Sequence, residues 1–377
     1  MVGNKSVTVS EIKRLNRNNI YMLLKNRGDL SKQDIVGALK LSLPTVTVYL
    51  NYLLEKGLAC ESGTCSTGVG RKACTYSINK NARIAIGIDV TKNHITIVSV
   101  NMVGEILSRL SLRKRFELKD SYYQYVGELV KAEIKKNGFS QEQILGVGIG
   151  IPGLATDDGT EIFYGKTLTD FSGLKITAFN KYIEYPCVFI KDANAACLAE
   201  TWSNPQMSNV FYISLSNYVG GSVRLYDKPY SGEGPRSGEV GHITIVPNGL
   251  QCYCGQKGCT DPYCSALRLS EQEDENLEQF FRKLKKGDAE CQKRFDEYLY
   301  YLSLAVNNTR MLFDCKIILG GYVGVYLEEY LDQLKMLLKK RNPFEDNADY
   351  VQVCKWKNDP IAAGAAILFI DQFEKSI

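Results

Sequence analysis

No run of about 18 apolar residues occurs in this chain, so a membrane-spanning helix is not expected. The opening stretch, MVGNKSVTVSEIKRLNRNN, lacks the apolar core of a secretory signal. Histidine is scarce, with two in 377 residues. Twelve cysteines in a short secreted chain would indicate a disulfide scaffold; here they are scattered along an α/β-patterned sequence. A reduced, cytoplasmic protein is therefore expected. The length suffices for two or three domains with sizeable cores.

What is present begins with the stretch from Gly238 to Ser265. His242, Cys252, Cys254 and Cys259 give one imidazole and three thiols at H-x9-C-x-C-x4-C. That is the four-ligand nitrogen and sulfur set of a closed tetrahedral metal site, and soft thiolates favour zinc. Gly255 and Gly258 allow tight turns between the ligands. A run of free thiols in a reducing cytosol is the alternative reading.

Charge is uneven. Residues 1–80 hold 12 Lys/Arg against 5 Asp/Glu, whereas the remainder holds 34 against 37. A basic arm on a mildly acidic body suggests that the arm meets a polyanion. In that arm, Ile20, Leu23 and Leu24 share one face of a helix ending near Gly28. Ser31 then reads as an N-cap with Asp34 three residues on. Pro44 opens a third helix whose apolar stripe is Val46, Leu50, Leu53 and Leu54. Leu58–Cys60 and Cys74–Ile78 read as strands joined by a loop carrying Arg71 and Lys72. Three short helices followed by a hairpin describe a winged helix-turn-helix over residues 1–80. Thr45, Thr47, Val48 and Asn51 face away from the apolar stripe, towards a major groove, and Arg71 suits a minor groove or a phosphate. A small helical protein-interaction module is the plainer alternative.

From Ile84 the pattern becomes strand–helix alternation: IAIGIDV, HITIVSV, a polar helix near 121–137, ILGVGIGIPG, CVFIKD, NVFYISLS and KIILGG. This implies an α/β fold. Residues 79–83 are the expected hinge, and the small-residue-rich tail DPIAAGAAILFIDQF is an expected helix for close packing on a sheet.

The Glu239-to-Cys259 stretch resembles the signature of the ROK family, in which a Glu-x-Gly-His segment feeds a C-x-C-G-x-x-G-C loop. The stretch from Leu15 to Leu58 resembles the DNA-binding domain of ROK repressors. The resemblance covers about residues 10–375. It implies a winged helix-turn-helix followed by a two-lobed actin-like (ribonuclease H-like) body, an α/β fold. The first lobe is expected over 84–200, with a helix at about 360–377 returning to it, and the second over 201–359. It further implies a structural zinc and a sugar site at Gly153, Asp192, Asn194, Glu239, His242 and Asp261. Two departures stand out: Lys191 replaces an asparagine of the family's sugar motif, and Asp261 replaces a glutamate.

In the kinases of this family, two glycine-rich hairpins hold ATP phosphates on bare backbone amides. Here those hairpins read Asp89-Val90-Thr91-Lys92-Asn93 and Ser216-Asn217-Tyr218-Val219-Gly220, with most of the glycines gone. ATP binding is therefore not expected. The resemblance implies a sugar-responsive repressor that binds operator DNA as a homodimer or homotetramer, without catalysis and without a membrane partner. The alternatives are a bifunctional sugar kinase with Asp192 as base, and a sensor of a protein partner.

Overall fold

The computed structural model describes residues 8–65, 73–202, 204–270 and 277–377. Helix α1 (Val9–Arg27) opens with a capping box: the Thr8 hydroxyl accepts the Glu11 amide, and the Glu11 carboxylate accepts the Thr8 amide at 2.7 Å. Gly28, at φ +80°, ends it. After β1 (Leu30–Ser31), Ser31 caps α2 (Lys32–Leu39) in a second box with Asp34. Helix α3 (Leu43–Glu55) starts at the Ser42 cap with Pro44 in its first turn. Val46, Leu50 and Leu53 are fully buried, and Leu54 is half-buried. Strands β2 (Ala59–Cys65) and β3 (Ala73–Ile78) pair antiparallel, giving a small sheet in the order β1-β3-β2. The hairpin is longer on its first side than the sequence implied, and Arg71 lies outside the described residues.

The body is built on two five-stranded sheets. The first uses β4 (Ile84–Val90), β5 (His94–Asn101) and β6 (Ile106–Arg113), then, after α4 (Asp120–Lys136), β7 (Ile144–Ile151). A small sheet of β8 (Leu154–Ala155), β9 (Glu161–Tyr164) and β10 (Leu174–Lys175) follows, with the short α5 (Thr177–Asn180). Strand β11 (Cys187–Lys191) completes the first sheet, in the order β11-β7-β4-β5-β6, and runs directly into α6 (Asp192–Thr201). The second sheet takes β12 (Val210–Leu215), β13 (Val219–Leu225) and β14 (Lys228–Pro229). After α7 (Asp261–Cys264), α8 (Leu277–Lys285) and α9 (Ala289–Phe313) it adds β15 (Lys316–Gly320). Beyond α10 (Gly321–Gly324) and α11 (Leu331–Lys339), β16 (Val351–Val353) closes the order β14-β13-β12-β15-β16. Each sheet thus pairs an antiparallel hairpin with parallel neighbours: β4 joins β5 and β7, and β12 joins β13 and β15.

Helix α12 (Pro360–Ser376) ties the molecule together. It lies on the first sheet and against α6, so closely that side chains are excluded at the contact. A Cβ on Gly364 would stand 1.7 Å from the Ala195 carbonyl oxygen, and one on Gly87 1.8 Å from that of Ala362. The small residues of the tail are there because backbone meets backbone.

The N-terminal unit is docked on the same helix. Ile20, Tyr21 and Leu24 share one core with Val98, Val100, Ile367 and Ile370. Within that contact the Lys25 ammonium meets the Glu374 carboxylate at 2.7 Å, Tyr21 donates to the same carboxylate at 3.1 Å, and Lys25 stands 3.6 Å over the Trp202 ring. Burial pulls Lys25 down and pushes Glu374 up in pKa, despite their mutual attraction. The expected hinge at 79–83 is anchored instead: Ala82 is buried, and Asn81 is held by Asn101 at 3.0 Å and Gln143 at 2.9 Å.

Candidate functional site

Four of the residues singled out from the sequence come together at the metal motif. The ligand atoms of His242, Cys252, Cys254 and Cys259 all lie within 4.8 Å of one another. Cys254 Sγ and Cys259 Sγ are 3.8 Å apart, and Cys252 Sγ is 3.7 Å from His242 Nδ1. Bonds of about 2.3 Å to a tetrahedral metal place sulfurs about 3.8 Å apart, so the set fits a metal ion. The spacing is far too long for a disulfide. Gly255 (φ +92°) and Gly258 (φ +81°) make the turns, and a Cβ on Gly258 would strike the Val246 carbonyl at 1.8 Å. Nδ1 faces the thiols, which leaves Nε2 to Tyr253, whose hydroxyl is 3.1 Å away. Such an outer partner fixes the ring and its tautomer.

A cleft between the two sheets lies beside this loop. Asp192, first residue of α6, stands at its edge with its carboxylate accepting the Ala193 amide at 2.7 Å. Burial pushes its pKa up to about 6, against the pull of Lys191. Asp89 at the end of β4 rises to about 7, through burial first and then repulsion from Asp192 and Asp359. Asp359 itself is held by Arg109 in a two-point pair at 2.5 and 3.0 Å.

The two hairpins with most of those glycines gone converge on the same cleft: Thr91, Lys92 and Asn93 from one, Ser216, Asn217 and Tyr218 from the other. The Tyr218 ring packs edge-on against Tyr253 at 4.8 Å, so an aromatic pair joins the second hairpin to the metal loop. About 90 Å³ of free space remains beside Asp192. That is below the roughly 300–1,000 Å³ typical of small-molecule pockets. A further cavity of about 480 Å³ extends past Asp89 and Ser216 to Gly321 and Tyr326.

Other expected sugar contacts are placed differently. Glu239 is near the cleft, with its second oxygen 4.0 Å from His242 Nε2. Its first oxygen receives the buried Lys191 ammonium, which also donates to the Gly221 carbonyl at 2.9 Å. Sequence reasoning noted Lys191 as a departure but missed this pair. Asp261 is turned inward and accepts the Val219 amide at 2.6 Å, tying the metal loop to the second hairpin. Asn194 does not join Asp192. Residues two apart on a helix point about 200° apart, and Asn194 lines a separate cavity behind α6. Gly153 packs against Ile162, Tyr164 and Phe171, where a Cβ would stand about 3.0 Å from its neighbours, and serves the chain turn after β7.

On α3, Thr47 and Asn51 face outward around Val48, which is 63% exposed. The Thr45 hydroxyl is engaged by Ser42 at 2.8 Å, within the helix cap.

The model of the ROK family matches residues 85–372. The chain belongs to the ROK family. Among its ROK relatives is the xylose repressor of Caldicellulosiruptor bescii, 24% identical over 95% of this chain and 96% of that protein. The structure of a ROK family transcriptional regulator, a homolog of the E. coli MLC protein, superposes with a TM-score of 0.78 at 19% identity, covering 97% of each chain. A ROK glucokinase from Streptomyces griseus, solved with glucose and AMPPNP, gives 0.60 at 20% identity and covers 76% of this chain and 98% of its own. The body therefore has the actin-like sugar-kinase fold. The share left outside the kinase match is about the size of the segment before Ile84.

Proposed function

We propose that this protein is a sugar-responsive transcriptional repressor whose N-terminal unit is a winged helix-turn-helix. Its body senses a sugar at the cleft beside Asp192, Glu239 and His242, and performs no phosphoryl transfer. A zinc ion held by His242, Cys252, Cys254 and Cys259 fixes the sensing loop. The division at residue 80 and near residue 200, a homodimer or homotetramer on a palindromic operator, and a cytoplasmic location belong to the same reading. No described helix is long and apolar enough to cross a membrane.

The observation that carries this reading is the path from cleft to DNA face. Asp192 begins α6, α6 packs on α12, and α12 carries the N-terminal unit whose third helix turns Thr47 and Asn51 outward. Hydroxyl and amide groups there suit base edges or phosphates. Against catalysis stand the side chains of Thr91, Lys92 and Tyr218 where phosphates need bare amides. A sugar entering the cleft displaces Tyr218 or Tyr253 and competes for Glu239 with Lys191. Binding is thereby coupled to the relative position of the lobes. A ligand shifts that balance by its differential affinity for the two forms.

The experiment titrates monosaccharides against operator-bound protein, with and without Mg-ATP. The expected result is a change in DNA affinity that ATP leaves untouched and that Asp192→Asn weakens. Steady production of sugar phosphate at about 1 per second or faster would place the kinase reading first.

A further inference from the structure

Behind α6, on the side away from Asp192, lies a cavity of about 490 Å³, within the range of small-molecule sites. Both lobes and α12 line it. Its charges are unevenly satisfied. Asp371 and Lys375 pair with each other at 2.5 Å, Lys191 turns its ammonium to Glu239, and Asp157 stands exposed at the rim. Arg224 on β13, half-buried, has no carboxylate partner among the described residues, and its Nε is buried with no hydrogen bond. An uncompensated guanidinium in a concave, partly dry site is a standing demand for an anion, which it binds best as a two-point fork. Beside it, Asn194 offers amide donors and an acceptor that no described residue uses, and Ser222 and Tyr230 add hydroxyls.

We propose that this cavity is a second small-molecule site, separate from the cleft at Asp192. It takes a hydroxyl-bearing anion of about monosaccharide size, with the phosphate or carboxylate on Arg224 and hydroxyls on Asn194. An occupant touches α12 along Leu368, Asp371, Gln372 and Lys375, while Ile370 and Glu374 of the same helix hold the N-terminal unit. The site is thus placed to bias how that unit sits. This consequence for DNA rests on the repressor reading, but binding itself does not.

Calorimetry on the full chain with ribose 5-phosphate, glucuronate and uncharged ribose tests the site. At least one of the two anions should bind the wild type and Asp192→Asn alike, and ribose should not bind Asp192→Asn, whose cleft is impaired; which anion binds tells phosphate from carboxylate. Arg224→Met should weaken the anion about tenfold or more, the scale of a lost charge-assisted bond. Asn194→Asp, which keeps the arginine but adds a like charge to the ligand, should weaken it too. Thermal melting of each variant separates lost binding from lost folding. Failure of both anions to bind at millimolar concentration, equal binding of ribose by Asp192→Asn, or indifference to Arg224→Met and Asn194→Asp would overturn the proposal. Loss of binding in Asp192→Asn alone would return the anion to the cleft.

Discussion

Asp89 and Asp192 face each other's field in a cleft that burial has made costly for charge. The folded-state pKa of Asp89, about 7, lies above the ordinary aspartate value of 3.8. The native state therefore holds a proton that the unfolded chain releases between those values. This carboxyl's contribution to stability is fully present below about pH 4, is lost as pH rises towards 7, and levels off above that. At roughly 1.4 kcal/mol per pH unit, the loss reaches up to about 4 kcal/mol. Asp89→Asn should then raise the melting temperature at pH 8 and give little gain near pH 4, as read from melting curves across that range. An equal gain at both ends would show that the carboxyl is not protonated by its surroundings. Asp192, at about 6, adds a smaller trend of the same sign. Residue identities of this kind were readable from the sequence; their states were not. The clustering of His242, Cys252, Cys254 and Cys259 was legible because turns of a few residues bring them together. Asn194 was misplaced because a helix sends neighbours to opposite faces. The Lys191–Glu239 pair links residues 48 apart, a separation no local pattern encodes.

The loop from His242 to Cys259 is one element because its four clustered side chains span it and its end is fastened to another strand. Asp261 grips the Val219 amide, and Tyr253 packs on Tyr218, so loop and second hairpin move as one piece. Metal ligation contributes folding free energy to such a segment. Cys254→Ser should lose the metal and loosen this piece, leaving the N-terminal unit folded. Metal analysis of protein purified without added zinc, beside hydrogen exchange over 239–265, checks both parts. A wild-type protein that is well folded with far less than one zinc per chain would refute the site. At this scale the sequence was most informative: the Ser31 cap with Asp34, Pro44 in the first turn of α3 and the strands β4, β5, β7, β11, β12 and β15 follow from local chemistry. The longer β2 and the edge strands β6 and β16 escaped it. Strand β6 does alternate, with Arg109, Ser111 and Arg113 exposed between half-buried Ser108, Leu110 and Leu112, so its signal was there to be read; β16, three residues long, is defined by its pairing with β15.

The whole molecule hangs on α12, where sheet, α6 and the N-terminal unit meet. The docking of that unit was not legible, since a basic arm and a small-residue tail say nothing of each other. In the structure, Lys25 and Glu374 form an ion pair with both side chains less than a tenth exposed. Removing one partner of such a pair leaves an unpaired buried charge, at a cost of about 3–5 kcal/mol, whereas replacing both is close to neutral. Lys25→Met should thus release the N-terminal unit from α12, and Lys25→Met with Glu374→Leu should restore the contact. If α12 carries the signal, the single variant keeps its sugar affinity and its operator affinity when each is measured alone. What it loses is the effect of one on the other, because coupling requires both sites to bias one two-state arrangement. The double variant recovers that effect. Operator titrations at zero and saturating sugar measure it directly. Unchanged coupling in the single variant, with hydrogen exchange showing α1 undocked, would mean that the signal reaches DNA by another route.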